Sequence, residues 1–147
     1  LQKVYLNFPN ENINNQRVWV DGAHNPNAAL NLSKSIKFIE KDSSNYTVLI
    51  LGMLKNKDFI SYVKHFNKII DYLICIPVPN CSTSHNPEEL KMLGEKYLTI
   101  PTETSANFIH ALQEVRRKMP IKKTKIIISG SLYLVGEVLR HANYKLK

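Results

Sequence analysis

The chain has 147 residues, of which 44% are hydrophobic, and it carries a formal net charge of +8. This length supports one domain with its own core, and no apolar run approaches the length that spans a bilayer. No basic segment followed by an apolar stretch opens the sequence, so we expect no signal peptide, no membrane partner and a cytoplasmic location. The two cysteines, Cys75 and Cys81, are too few for a disulfide framework or a zinc site.

The positive charge does not by itself indicate a nucleic-acid partner. Lysine and arginine are spread along the chain, and their densest group falls at a predicted helix end and in the loop after it, where cations favour the helix dipole. No aromatic residues alternate with these cations and no nucleic-acid-binding signature is present, so we expect no such partner. The group comprises Arg116, Arg117, Lys118, Lys122, Lys123 and Lys125.

Strands and helices are predicted to alternate along the first half of the chain. Residues 1–8 alternate apolar and polar side chains, which indicates an edge strand, and the asparagine-rich residues 9–16 are predicted to form a loop. Residues 17–21 are predicted to form a strand, and a helix is predicted at residues 27–41. The nearly continuous apolar run at residues 46–53 is typical of a strand that is buried on both faces.

The same alternation continues through the second half. Strands separated by helix-length segments pair in parallel through right-handed crossovers. We therefore predict one Rossmann-like three-layer α/β domain over residues 1–147, with a mainly parallel sheet of about six strands and helices on both faces. The further helices are predicted at residues 57–67, 86–96, 105–119 and 132–143, and the further strands at residues 71–78, 97–101 and 125–129.

One predicted strand ends in two titratable side chains. The strand at residues 17–21 leads into the run Asp21-Gly22-Ala23-His24-Asn25-Pro26, in which Asn25 and Pro26 suit the N-cap and first position of the next helix. Ligands of open α/β sheets bind beyond the carboxyl ends of the strands. Spacing alone leaves two explanations open: Asp21 and His24 contact a ligand, or they only cap a tight turn. Neither G-x-G-x-x-G nor G-x-x-x-x-G-K-[ST] occurs, so both common phosphate-binding loops are absent from the sequence.

Three segments follow predicted strands: Asp21-Gly22-Ala23-His24-Asn25-Pro26, Gly52-Met53-Leu54-Lys55-Asn56-Lys57-Asp58 and Ser129-Gly130-Ser131-Leu132-Tyr133-Leu134-Val135-Gly136. In order and spacing they are similar to motifs of the C-terminal domain of folylpolyglutamate synthases and dihydrofolate synthases, which are Mur-ligase-like ATP-dependent amide ligases. Asn56 stands where that family usually has an aspartate before the lysine.

The resemblance implies a reaction that this chain does not carry out alone. In the family, ATP with Mg²⁺ phosphorylates a folate carboxyl group, and the amino group of glutamate then attacks the acyl phosphate. The family's larger N-terminal domain holds the phosphate loop, the magnesium ligands and most folate contacts, and we expect that domain to be absent here. The implied partners are therefore an N-terminal ligase domain, ATP, L-glutamate and dihydropteroate or a folate.

The resemblance also assigns roles to four residues. Asp21 corresponds to an aspartate that contacts the nucleotide hydroxyls of ATP, and His24 to a histidine that orients or stabilises the reacting groups. Lys57 and Ser131 correspond to residues that bind the carboxylate of glutamate, and no metal ligand is expected. Each residue also has a simpler explanation: a turn cap for Asp21, a surface turn for His24, a solvated charge for Lys57 and an N-cap for Ser131.

Two other functions fit parts of the sequence. A non-catalytic nucleotide-binding or interaction module of the same fold predicts that Asp21, His24, Lys57 and Ser131 do not converge. A fragment of a cell-wall Mur ligase would share the fold, although the motifs that begin at residues 21 and 129 favour the folate branch.

Overall fold

A single sheet forms the centre of the molecule. The computed structural model describes residues 1–39, 46–119 and 123–142. Within these residues the sheet has six strands, of which the first is antiparallel to the second and all other neighbours are parallel, so the predicted sheet is confirmed. The strands are β1 (Gln2–Phe8), β2 (Ile13–Asp21), β3 (Tyr46–Leu51), β4 (Tyr72–Cys75), β5 (Thr102–Thr104) and β6 (Thr124–Ser129), in the spatial order β1-β2-β6-β3-β4-β5.

Helices cover both faces of the sheet, as predicted. Successive strand residues point to opposite faces, so β3 contributes Leu49 to one apolar core and Ile50 to the other. Among the described residues, no helix is long and apolar enough to cross a membrane. One face carries α1 (Pro26–Phe38), α2 (Phe59–Val63) and α3 (Pro87–Tyr97), and the other carries α4 (Phe108–Lys118) and α5 (Leu132–Arg140).

The loop predicted at residues 9–16 was wrong for its second half. Pro9–Glu11 form a 3₁₀ turn, and β2 already begins at Ile13. Asn12 adopts a left-handed conformation with φ of 58°, which asparagine tolerates better than most residues. The asparagines therefore mark the turn, while the fully buried Ile13 pairs with Phe8 and anchors the start of the strand.

The short strand predicted at residues 97–101 was also wrong. Helix α3 extends to Tyr97, and β5 begins only at Thr102. Periodicity cannot separate a helix end from a strand start over so few residues. The other predicted elements are present, most of them a few residues shorter. Helices α1 and α5 end at Phe38 and Arg140, whereas the ends predicted at residues 41 and 143 lie outside the described residues.

Gly130 occupies a crowded position at the carboxyl edge, which is the edge of the sheet where the parallel strands end. Its φ is +108°, a conformation that residues with a side chain rarely adopt. A Cβ atom at Gly130 would also collide with the backbone carbonyl oxygen of Gly52. Because that obstacle is backbone, a rotamer change cannot remove it.

We expect Gly130→Ala to lower the free energy of unfolding by about 2 kcal/mol, because strained backbone conformations cost roughly 1–3 kcal/mol each. Gly136→Ala is the matched control, since a Cβ at Gly136 in α5 would meet no atom within 4 Å apart from its chain neighbours and the backbone of its own helix. There alanine is expected to raise stability by about 0.5–1 kcal/mol. Urea denaturation measures both variants, and equal stability of the two would contradict the role assigned to Gly130.

Candidate functional site

The three motifs meet because their strands are neighbours in the sheet. Asp21 ends β2, Ser129 ends β6 and Leu51 ends β3. The strand register pairs Asp21 with Ser129, and Ser129 with Leu51. Because these strands run parallel, the loops that follow them all leave the carboxyl edge.

A pocket of about 150 Å³, here called the edge pocket, lies between these loops. His24, Lys57 and Ser131 line it together, and each of them comes from a different motif. Three of the four predicted site residues therefore converge on one pocket. A non-catalytic module of the same fold does not predict this convergence. The other lining residues are Leu54, Gly130, Leu132 and Tyr133.

A hydrogen bond within its own loop orients His24. The ring nitrogen Nδ1 lies 2.9 Å from the carbonyl oxygen of Gly22. A carbonyl oxygen only accepts, so Nδ1 carries a hydrogen, and Nε2 is the acceptor nitrogen of the neutral ring. Asn25 then caps α1, as predicted, by accepting a hydrogen bond from the backbone N–H of Ala28 at 2.9 Å. A neutral His24 thus offers one acceptor nitrogen, and protonation converts that nitrogen into a donor.

The sequence predicted that Lys57 begins a helix, but in the structure Lys57 precedes helix α2. Asp58 is the N-cap, since its carboxylate accepts from the backbone N–H of Ser61, and α2 begins at Phe59. The hydrogen bonds from Ser61 also hold the pKa of Asp58 below its ordinary value. The backbone N–H of Lys57 donates to the carbonyl oxygen of Leu54 at 3.1 Å, and this turn places the half-buried Lys57 beside the edge pocket.

Ser131 is both an N-cap and a residue of the edge pocket. Its Oγ accepts a hydrogen bond from the backbone N–H of Tyr133 at 3.1 Å, which caps α5. The side chain is buried, and the cap uses Oγ only as an acceptor. The hydroxyl hydrogen can therefore be donated to an acceptor in the pocket.

Asp21 lies at the carboxyl edge but does not line the edge pocket. Its Oδ1 accepts a hydrogen bond from the backbone N–H of Ala23 at 2.8 Å. This contact is the turn cap that sequence reasoning gave as the simpler explanation. The structure thus brings Asp21 close to the other three residues without bringing it into their pocket.

Sequence reasoning missed a buried hydroxyl pair. Tyr62 in α2 and Ser129 in β6 are fully buried, and their side-chain oxygens lie 2.8 Å apart. Burial raises the pKa of Tyr62 above its ordinary value, so the phenol stays protonated. The available signal was Ser129, a polar residue directly after three isoleucines in a strand buried on both faces.

The described residues fit ATP and magnesium only in part. No group of three or more His, Cys, Asp or Glu side chains among them could hold a metal ion. The sequence also lacks both common phosphate-binding loops. The described residues therefore offer hydrogen-bonding groups to a nucleotide, but no cluster of side chains that could hold its metal ion.

The sequence model of one family, described as the C-terminal domain of dihydrofolate synthetase, matches residues 4–141. This chain belongs to that family. The match runs from β1 into the residue after α5, so it includes the three motif loops and the edge pocket. It also favours the folate branch over a cell-wall Mur ligase.

Curated relatives of this family member are much longer than the chain. A dihydrofolate synthase/folylpolyglutamate synthase from Haemophilus influenzae is 27% identical over 133 residues, which cover 90% of this chain and 30% of the relative. A protein of the same name from Buchnera aphidicola subsp. Schizaphis graminum is 31% identical over 126 residues, covering 86% and 28% respectively. The chain thus spans less than a third of the length of these relatives.

Solved structures share the fold. The folylpolyglutamate synthase of Thermotoga maritima aligns with a TM-score of 0.72 at 22% identity, covering 95% of this chain and 29% of that protein. A bifunctional folylpolyglutamate synthase/dihydrofolate synthase solved with Mn, AMPPNP and L-glutamate bound aligns with a TM-score of 0.65 at 20% identity, covering 82% and 27%. Proteins with this fold thus include one that binds a nucleotide, a metal ion and the amino acid.

Two helix caps allow a matched test of the structural role of Ser131. Asn107 caps α4 by accepting from the backbone N–H of His110 at 2.9 Å, and it does not line the edge pocket. Ser131→Ala and Asn107→Ala each remove one cap, so each is expected to lower the free energy of unfolding by about 1 kcal/mol. Urea denaturation measures the change, and a Ser131→Ala protein as stable as the wild type would contradict the cap.

Proposed function

We propose that this chain forms the glutamate- and ATP-contacting side of an ATP-dependent ligase that adds L-glutamate to dihydropteroate or folates through an acyl phosphate. The observation that supports this function is the convergence of His24, Lys57 and Ser131 on the edge pocket. The names of the curated relatives support the reaction, and the solved relative with AMPPNP and L-glutamate supports the ligands.

Lys57 and Ser131 suit the carboxylate of glutamate. An ammonium group supplies a positive charge and charge-assisted hydrogen bonds, and the Ser131 hydroxyl supplies a further donor. The first N–H groups of α5 and its helix dipole favour an anion at the same place. We infer that glutamate enters the edge pocket with a carboxylate toward Lys57 and the start of α5.

His24 suits the step in which the amide forms. The amino group of glutamate attacks the acyl carbon, a C–N bond forms, and the bond from that carbon to the phosphate oxygen breaks. The proton that the amine loses passes to the acceptor Nε2 of a neutral His24. The acceptor Nε2 of a neutral His24 can hold the amine by one of its hydrogens, and the protonated ring would stabilise the departing phosphate. We propose that His24 orients these groups rather than forming a covalent intermediate.

Asp21 is proposed as the ATP contact of this chain. A carboxylate at a strand end is suited to accept hydrogen bonds from the two hydroxyls of a ribose, as it does in nucleotide-binding α/β folds. The sequence lacks both common phosphate-binding loops, so this chain offers no such loop to the phosphates of ATP. Nucleotide binding by this chain alone is therefore expected to be weak.

We infer that a further domain supplies the phosphate loop, the magnesium ligands and most folate contacts. The relatives are more than three times as long as the aligned region. The sequence contains neither common phosphate-binding loop, and the described residues contain no cluster that could hold a metal ion. Closure of this chain over that domain would exclude water, which would otherwise hydrolyse the acyl phosphate.

The chain alone is expected to show no folate-dependent ATP turnover, because it lacks the groups that bind phosphates and metal. Phosphate release in the presence of dihydropteroate, MgATP and L-glutamate measures this. Turnover above the rate without dihydropteroate would contradict the proposed division between two domains.

Lys57→Gln is expected to raise the KM for L-glutamate about 10- to 100-fold, because a hydrogen bond to a charged group contributes roughly 1.5–3 kcal/mol. The assay combines this chain with an N-terminal ligase domain of the same family and measures glutamate addition. Lys55→Gln is the matched control, since Lys55 lies two residues away, is exposed and does not line the edge pocket.

Equal kinetic changes in both lysine variants would contradict the proposal, because they would reflect net charge and not the pocket. A rise in the KM for ATP with an unchanged KM for glutamate would also contradict it, because Lys57 would then belong to the nucleotide.

A further inference from the structure

Two buried hydrogen bonds that share the Ser129 hydroxyl link the elements that carry the three motif loops. Tyr62 and Ser129 have no exposed surface, and their side-chain oxygens lie 2.8 Å apart. Ser129 Oγ also lies 3.4 Å from the carbonyl oxygen of Ala23. A carbonyl only accepts, so Ser129 donates its hydrogen to Ala23, and the phenol of Tyr62 donates to Ser129.

Each residue in these hydrogen bonds lies within five residues of an edge-pocket residue in the sequence. Ala23 directly precedes His24, and Ser129 stands two residues before Ser131. Tyr62 belongs to α2, the helix that begins two residues after Lys57. The two hydrogen bonds therefore fix the helix behind Lys57, the strand before Ser131 and the loop before His24 relative to one another.

Folding by itself does not require this polar pair. Replacing both members of a buried hydrogen bond with apolar groups of the same shape is close to neutral for stability, whereas removing one member leaves the other without a partner. Phe59 and Val63 already hold α2 against the core by apolar contacts. Apolar contacts permit small shifts, while hydrogen bonds set distance and direction.

We propose that Tyr62 and Ser129 are positioning residues that hold His24, Lys57 and Ser131 in the arrangement that binds the ligand. Neither lines the edge pocket, so both act through the loops that they connect. The inference rests on the proposed function only for the identity of the ligand, L-glutamate.

The test compares the wild type with Tyr62→Phe, Ser129→Ala and the double variant. Tyr62→Phe keeps the ring, whose centroid lies 5.3 Å from that of Phe66, and removes only the hydroxyl. Ser129→Ala leaves the phenol buried without a partner, so this variant is expected to melt at the lowest temperature. The double variant removes both hydroxyls and loses only the long 3.4 Å contact to the Ala23 carbonyl oxygen, so it is expected to regain most of that loss.

The readouts are the ring and backbone ¹⁵N signals of His24 and the backbone signal of Ser131 in this chain, together with the KM for glutamate in the combined ligase. In the double variant these signals are expected to shift although the melting temperature is largely regained. The KM for glutamate is expected to rise at least about tenfold, because small displacements of site residues weaken their contacts with the ligand strongly. Ser33→Ala is the control: it removes another buried hydroxyl, which donates to the Leu30 carbonyl in α1, and it is expected to change neither readout.

A double variant with wild-type His24 and Ser131 signals would overturn the positioning role, whatever its melting temperature. If the double variant does not fold, the same spectra of Tyr62→Phe decide the question. If the wild-type chain with its ligase domain adds no glutamate, the proposed function fails, and the spectra still decide whether Tyr62 and Ser129 position the loops.

Discussion

The parallel pairing of β6 between β2 and β3 is the constraint on which the site depends. It aligns Asp21, Ser129 and Leu51 across three adjacent strands, so loops from distant parts of the sequence leave the sheet side by side. Gly130 makes this close approach possible, because its positive φ and missing side chain let the chain pass the carbonyl of Gly52. Ser131 can then cap α5 and reach the edge pocket with the same hydroxyl group.

Much of this arrangement could be predicted because burial constrains the sequence strongly. Strands covered on both faces are mostly apolar, so β3 is recognisable as a nearly continuous apolar run and β6 by its three consecutive isoleucines. The Asn-Pro pairs that begin α1 and α3 are recognisable because asparagine caps a helix and proline suits its first turn. The grouping of His24, Lys57 and Ser131 followed from their positions after strands together with the family resemblance.

The rest depends on tertiary contacts that local patterns do not carry. Tyr62 and Ser129 are 67 residues apart, and nothing near either one indicates its partner. Spacing left both a ligand contact and a turn cap open for Asp21, and only the structure shows that its Oδ1 accepts a hydrogen bond from the N–H of Ala23. The asparagine-rich segment was predicted to form a loop because asparagines indicate a turn, which forms at Asn12. Composition does not indicate the pairing of Ile13 with Phe8.

The spatial order of the strands has a consequence for assembly. Strand β6 is the last strand in the described sequence, yet it occupies a central position in the sheet. During synthesis, β2 and β3 would each present an unpaired edge until residues 124–129 have emerged, and unpaired edges invite pairing with other chains. The contacts that close the sheet are also distant in sequence, which slows folding. Because β6 pairs with both β2 and β3 and leads directly into Gly130 and Ser131, the edge pocket is complete only once β6 has joined the sheet.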